Sequence, residues 1–174
     1  MKKKDILISL AIIAFSIGVV YYYIQGKGYI ETDIGGMDAT IQLRNSFLGH
    51  ETIRSDAEPV EVRAIIHKPR HLKITVKHEG HNYQIESNGP WGSLSKINVN
   101  KNKTTLLRSG PPFVIKPDIH NNKNHISIDF TILGQAGEQY RKYALKNNRR
   151  ISGAKLKIID EEGNVLENGK FQYG

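Results

Sequence analysis

Apolar and polar residues alternate along most of the chain that follows residue 37. The alternation is clearest in the segments 37–45, 59–66, 71–77, 81–87 and 125–133. In the first of these, Ala39, Ile41 and Leu43 stand at every second position, with polar residues between them. A period of two places the apolar side chains on one face of a β-strand. We therefore predict a strand in each of these segments.

Further short apolar runs predict additional strands, and turn-forming residues separate them. The runs are 94–99, 104–108, 113–116, 154–159 and 164–173. Glycine, proline and asparagine stand between strands, as in Asn88-Gly89-Pro90, and each favours a turn for a physical reason. Eight or nine short strands at this spacing predict an all-β domain over residues 38–174, an antiparallel β-sandwich.

Only the segment GEQYRKYALK, which begins at Gly137, carries a helical signal. Tyr140 and Tyr143 would share one face of a helix, and Glu138 precedes Lys142 by four residues, the spacing of a helical ion pair. We predict one short helix or an irregular loop at this place.

The N-terminal part of the chain is apolar without alternation. Residues 6–24 include no charged side chain, and a helix of about 20 apolar residues crosses the hydrocarbon of a bilayer. Lysines precede the run, and Tyr21, Tyr22 and Tyr23 suit the headgroup region at its far end. We predict that residues 1–5 form a cytoplasmic basic tail and residues 6–24 a single-pass transmembrane signal-anchor.

The positive-inside rule then places the remaining residues outside the cytoplasm. Four glycines within residues 25–37 predict a linker before the folded domain. As an alternative, the small residues Ser16 and Gly18 fit a cleavage site, and cleavage near Gly18 would release a secreted protein. The chain contains no cysteine, which excludes disulfides, thiolate ligands and a lipid-modified cysteine anchor.

The segment 72–87 predicts a β-hairpin that turns at Glu79-Gly80. With a two-residue turn, Val76 faces Tyr83 on an apolar face, and Lys73 faces Glu86 on the polar face. The hydrophobic pattern and the charge pairing agree on this register. His78 then lies directly opposite His81 at the tip.

Two facing histidines raise the alternative that this is a metal-binding module. They could bind zinc, copper or nickel, but a stable site needs three or four protein ligands. A second hairpin with a four-residue loop would place His120 opposite His125 and Asp118 opposite Ser127. If both tips met, His78, His81, His120 and His125 would form a four-histidine site.

The remaining histidines of this region, His67 and His71, bracket a Lys-Pro-Arg segment. We expect both to be solvated turn residues, and unliganded histidines at turns of a sandwich are the simpler interpretation of the other four.

Charge adds a candidate binding surface. The chain has a formal net charge of +8, and no acidic residue stands between Glu138 and Asp160. A basic segment with interleaved tyrosines indicates an anion-binding surface. Its candidate residues are Arg141, Lys142, Lys146, Arg149 and Arg150. Outside the membrane, the expected partners are anionic lipid headgroups, cell-wall polymers or another envelope protein, and not nucleic acid.

Catalytic motifs are missing from the sequence. It contains no nucleophile elbow, no His-Glu-x-x-His motif, no phosphate-binding loop and no cysteine nucleophile. We therefore expect no enzymatic activity and no required cofactor, apart from the divalent metal of the alternative above. An envelope hydrolase with paired carboxylates distant in sequence stays as a second alternative.

The C-terminal third resembles a sequence pattern of secreted or membrane-anchored bacterial proteins. The matching segments are GPPF at 110–113, LGQAGEQY at 133–140 and KIIDEEGNVLENGKFQYG at 157–174. The resemblance implies an extracytoplasmic bacterial β domain without an assigned activity. The last of these segments is also similar to hairpins of immunoglobulin-like and prealbumin-like surface modules, which implies a sandwich of one of these two kinds. Together with the anchor, it leads us to expect a binding or structural module of the cell envelope.

Overall fold

A computed structural model describes residues 3–24, 26–45, 49–55, 58–123 and 125–171. Within these residues, the chain forms one α-helix, α1 (Lys3–Ile24), followed by short strands and one 3-10 turn (Gly92–Ser95). The strands are β1 (Lys27–Asp33), β2 (Asp38–Asn45), β3 (Gly49–Arg54), β4 (Val60–Arg63), β5 (Ile66–His78), β6 (His81–Ser87), β7 (Ile97–Asn98), β8 (Thr104–Arg108), β9 (Val114–Asn122), β10 (His125–Leu133), β11 (Gln139–Tyr140), β12 (Leu145–Lys146), β13 (Arg149–Arg150), β14 (Lys155–Ile159) and β15 (Val165–Lys170).

The strands form four sheets. The largest has the order β13-β12-β6-β5-β2-β3, with β7 paired to β5. Two sheets have three strands, in the orders β4-β1-β8 and β11-β10-β9, and β14 pairs with β15 alone. All pairings are antiparallel except that of β1 with β8, which is parallel.

The hydrophobic core lies between the largest sheet and the sheet β4-β1-β8. The first contributes Leu43, Leu72 and Ile74, and the second contributes Ile30 and Val62, all almost completely buried. Each of these residues follows the period-two pattern of its strand. The prediction of an all-β domain built mainly of antiparallel strands is confirmed, and two sheets around one core are compatible with a sandwich. Its immunoglobulin-like or prealbumin-like kind stays a prediction.

The predicted linker 25–37 is wrong for most of its length. Residues 27–33 form β1, the central strand of its sheet, and Ile30 is fully buried. The glycines suggested a flexible spacer, but Gly28 has a packing role. A Cβ atom there would lie 2.3 Å from the Asn100 carbonyl oxygen, so only glycine lets the two backbones approach this closely.

The helix that we considered after Gly137 does not form. Residues 139–140 form β11 and residues 145–146 form β12. Glu138, which would have paired with Lys142 on a helix, is fully buried instead. Tertiary packing of Glu138 and Tyr140 overrides the weak helical signal.

The helix α1 covers the apolar run 6–24. In the described part of the chain, no helix combines the length and the apolar character needed to cross a membrane. The predicted transmembrane anchor is therefore not supported by the structure.

The β5–β6 hairpin has the register that the sequence predicted. Val76 faces Tyr83, Lys73 faces Glu86, and the ladder ends with His78 opposite His81. The two turn residues, Glu79 and Gly80, have φ angles of +49° and +74°. Two consecutive left-handed residues are typical of the type I′ turn that matches the twist of paired strands.

The turn gives the first testable prediction. Gly80→Ala should lower the free energy of unfolding by about 1 kcal/mol, because alanine resists a left-handed backbone. A Cβ atom at Gly80 meets no other atom within 4 Å, so steric contact adds nothing to this loss. Glu79→Asn should raise the free energy of unfolding by a few tenths of a kcal/mol, since asparagine tolerates this conformation. Urea unfolding measures both; an unchanged midpoint for Gly80→Ala would contradict the turn type.

Candidate functional site

The tip of the β5–β6 hairpin is tied to the turn between β12 and β13. Asn147 of that turn accepts a hydrogen bond at 2.9 Å from the backbone N–H of Asn82, and its Nδ2 lies 3.0 Å from Nδ1 of His81. His78 Nε2 lies 3.6 Å from a carboxylate oxygen of Glu79. Both histidines at the tip therefore have partners within the protein.

The other two candidate histidines lie on the β9–β10 hairpin in an unexpected register. His120 faces Ser127, and His125 faces Asn122. The predicted pairs, His120 with His125 and Asp118 with Ser127, are wrong. The strands continue closer to the turn than we expected, because pairing satisfies backbone groups that a four-residue loop would leave without partners.

A metal site is not assembled from these histidines. In the part of the chain that the structure describes, no group of three or more histidine, aspartate or glutamate side chains could hold a metal ion. Two histidines at each hairpin tip fall short of the three or four ligands that such a site needs. The zinc, copper or nickel alternative therefore has no ligand set among the described residues.

His67 and His71 are not in a solvated turn, which corrects our expectation. Both belong to the long strand β5, and His67 is fully buried, with its Nε2 2.8 Å from the carbonyl oxygen of Arg63. The strand passes through Pro69 because the pairing of β2 with β5 has a register shift beside it. Proline is tolerated in a strand at such an irregularity.

Two of the five candidate basic residues face each other on the β12–β13 hairpin. Lys146 lies directly opposite Arg149, and its other neighbour in the sheet is Tyr83, with the Lys146 Nζ 5.6 Å from the centre of the ring. Like charges placed directly opposite destabilise a ladder. Neither cation has a carboxylate partner among the described residues.

The ladder places both histidines on the same side of the sheet as these cations. Side chains that face each other across a ladder, or lie two positions apart, share a side. We call this group the tip face; it consists of His78, His81, Tyr83, Lys146 and Arg149. The structure thus brings together residues that the sequence had placed in two separate candidate sites.

Arg141 and Arg150 are held by Tyr143 instead. Arg141 donates a hydrogen bond of 2.6 Å to the Tyr143 hydroxyl and pairs with Glu86 at 3.3 Å. The Arg150 guanidinium lies 4.0 Å from the centre of the Tyr143 ring. The hydrogen bond from Arg141, together with the charge of Arg150, lowers the pKa of the Tyr143 hydroxyl. Arg150 faces Leu145 in the ladder, so it lies on the opposite side of the sheet from the tip face.

The fifth candidate, Lys142, forms an ion pair with Asp129 of β10. Its hydrogen bond lowers the pKa of the Asp129 carboxyl group. The predicted five-residue surface is therefore divided among three places. Lys142 and Arg141 are paired with carboxylates, whereas Arg150 lies against Tyr143, and Lys146 and Arg149 face each other without a carboxylate partner among the described residues.

A buried carboxylate, Glu138, is the main feature that the sequence did not predict. Its Oε1 accepts hydrogen bonds from the Gly110 N–H at 2.6 Å and from the Tyr140 hydroxyl at 2.8 Å. Its Oε2 accepts one from the Ala136 N–H at 3.0 Å. Burial raises the pKa of the Tyr140 hydroxyl, and the charge and hydrogen bond of Glu138 add to this shift. Three protein donors make Glu138 a structural group.

The Glu138 cluster joins two of the segments that carry the bacterial resemblance. Gln135 donates its backbone N–H to the Gly110 carbonyl at 2.9 Å and its side-chain amide to the Ser109 carbonyl at 2.8 Å. The Phe113 ring packs edge-on against Tyr140, with ring centres 5.0 Å apart. A Cβ atom at Gly134 would lie 2.1 Å from Glu138 Oε1, so the glycine makes room for the carboxylate. The glycines and aromatic residues of these motifs have a packing role.

Comparison of the chain with protein-family models, with curated proteins and with solved structures finds no match.

Removal of the Glu138 charge gives the second prediction. Glu138→Gln should lower the free energy of unfolding by about 1–3 kcal/mol, because one amide nitrogen would face a backbone donor in a buried site. The matched control is Glu162→Gln, at an exposed turn position, which should change stability by less than about 0.5 kcal/mol. Urea unfolding of both variants measures the difference. Equal midpoints would contradict the structural role of Glu138.

Proposed function

We propose that this protein is a binding module of the cell envelope that engages closely spaced anionic groups through the tip face. The observation that carries the proposal is the pair Lys146 and Arg149. Two cations lie directly opposite each other, without a carboxylate partner among the described residues. A bound anion would relieve their repulsion, and the exposed His78 with the half-buried His81 extends the same side of the sheet.

The ligand chemistry is that of phosphate or carboxylate groups repeated at short intervals. Such groups occur in anionic lipid headgroups and in acidic envelope polymers, and both would meet the tip face as an extended negative surface. The short β12–β13 hairpin projects the two cations from neighbouring strands, which suits a flat ligand better than a small enclosed one. The net positive charge of the chain favours the approach of either ligand.

Replacement of the facing cations tests the proposal. Lys146→Gln with Arg149→Gln should reduce the affinity for anionic ligands about 30-fold, since each cation near such a surface contributes about 1 kcal/mol. The full chain in neutral nanodiscs would be titrated with polyphosphate, with a polyuronate and with vesicles of anionic lipid. The ligand that binds most tightly of these three identifies the source of the anionic groups.

The matched control removes two cations that already have partners. Arg141→Gln with Lys142→Gln should reduce binding much less, because these side chains are paired with Glu86 and Asp129. Binding of the unaltered chain should also weaken steeply as salt is raised. If none of the three ligands binds, or if both double variants lose affinity equally, the tip face is not the binding site.

We also infer that the N-terminal segment holds the module at a membrane, with the β domain on the extracytoplasmic side. Two observations support this. Residues 6–24 carry no charge, and lysines precede them. The described side chains of α1 also include large apolar groups that contact little of the protein, such as Ile12 and Phe15, which are 60% and 75% exposed. The transfer of these apolar groups from water into the hydrocarbon of a membrane would have a favourable free energy.

Charged residues within α1 test this anchoring. Ile12→Lys with Phe15→Lys should release the full chain from membranes, because each lysine near the centre of a bilayer costs about 2.5–3.5 kcal/mol. The control is Ile12→Leu with Phe15→Leu, which preserves apolar character and should leave the chain membrane-bound. Alkaline extraction of the expressed chain followed by sedimentation measures the bound fraction. Release of the unaltered chain by the same treatment would contradict the anchor.

A further inference from the structure

An open cleft runs along the outer edge of β8. It has a volume of about 810 Å³ and lies between β8 and the segment that contains the 3-10 turn and β7. Its floor consists of the core residues Leu94, Ile97 and Leu107, and Leu106 is 45% exposed beside them. An apolar side chain placed here would be in contact with the hydrophobic core of the domain.

The backbone on this side of the cleft is an edge. The sheet order β4-β1-β8 gives β8 a partner on one side only, the parallel strand β1. Contact with the β7 segment includes one side-chain bond, from the Thr105 hydroxyl to the Asn98 carbonyl at 3.1 Å. A strand edge beside an apolar groove can accept another strand, which would supply main-chain hydrogen bonds and fill the groove with alternate side chains.

The charge of the cleft is positive. Lys96 and Arg108 line it, and no carboxylate among the described residues does so. The Arg108 side chain is 68% exposed, and its nearest acidic atom, in Asp33, lies 3.8 Å away, too far for a strong pair. The cleft therefore favours a strand whose apolar residues directly follow an acidic segment.

The chain itself contains a strand of this chemistry. All six residues of β15 are exposed, and β15 pairs only with β14 in a sheet of two strands. Val165 and Leu166 are 46% and 64% exposed. The surrounding stretch 160–169 carries four carboxylates and no lysine or arginine. The hairpin is held at one end by Phe171, whose ring packs against Phe130 of β10 with ring centres 4.6 Å apart. A strand added to the outer edge of β15 would supply main-chain hydrogen bonds along that edge.

We propose that β15 of one copy pairs with the free edge of β8 of a second copy. In an antiparallel pair, the amino end of one strand lies beside the carboxyl end of the other. The acidic turn before β15 would then lie next to Arg108, at the carboxyl end of β8, while Val165 and Leu166 lie along the cleft near Leu106. Charge and apolar character agree on this one orientation.

The two surfaces are different parts of the molecule, so the contact is head-to-tail. Each copy would use its β15 on one neighbour and its β8 on another. Head-to-tail contacts close into a ring or continue as an open filament, depending on the rotation between copies. The tip face takes no part in the contact, and the assembly would repeat it at regular intervals.

A complementation experiment tests the contact with the full chain in detergent. Leu106→Asp alters only the cleft, and Leu166→Asp alters only the strand. Analytical ultracentrifugation should show concentration-dependent assemblies for the unaltered chain, monomers for each variant alone, and a one-to-one pair when the two variants are mixed. The matched control is Ile119→Asp on β9, where the side chain is 61% exposed; this variant should assemble as the unaltered chain does.

A charge exchange between exposed residues provides a second test. Arg108→Glu should weaken self-association about tenfold, and combining it with Glu161→Arg and Glu162→Arg should restore it. Any of four results would overturn the proposal. The unaltered chain could be monomeric, the mixed variants could fail to pair, the Ile119→Asp control could lose assembly, or the charge exchange could fail to restore association.

Discussion

The structure depends on the burial of one carboxylate, that of Glu138. A charged group is removed from water at a large free-energy cost unless protein donors replace the water. Here two backbone N–H groups and the Tyr140 hydroxyl provide that replacement. The donors come from two segments that are distant in sequence, the loop at Gly110 and the turn at Ala136. The requirement to satisfy one carboxylate therefore fixes both loops, and with them the start of β9 and the end of β10.

From this cluster the chain runs directly to the residues of the candidate site. β11 follows Glu138 and pairs with β10, and the Arg141 N–H then bonds to the Glu86 carbonyl of β6 at 2.8 Å. This contact guides the chain along β6, where β12 adds to the largest sheet and brings Lys146 beside Tyr83. Asn147 completes the connection to the hairpin tip. The position of the tip face thus follows from a series of local hydrogen bonds that starts at the buried carboxylate.

The sequence predicts contacts within a short segment where turn, apolar pattern and charge agree, and it does not predict contacts between distant residues. The β5–β6 hairpin could be predicted because its turn, its apolar face and the pair Lys73–Glu86 all depend on one short segment.

The predicted register of β9–β10 is wrong by two residues, since several polar turn residues there allow more than one loop length. The glycines of residues 25–37 predict a linker where β1 lies, because Gly28 is required by a backbone distant in sequence, that of Asn100. The role of Glu138 could not be predicted, since each of its donors is brought to it by tertiary structure. Composition identifies the basic residues as one group. Ion pairs with Asp129 and Glu86 divide this group, and these pairs depend on the fold.

The placement of β1 has a mechanical consequence. Only residues 25 and 26 stand between the end of α1 and the beginning of β1, and β1 lies between β4 and β8 in its sheet. A pull on the N-terminus would act along the axis of β1 and would load the hydrogen bonds of its ladders with β4 and β8 together, instead of breaking them one after another. Such shear loading resists extension far better than peeling does. Tension applied to the N-terminal end of the chain would therefore reach the hydrophobic core through Ile30.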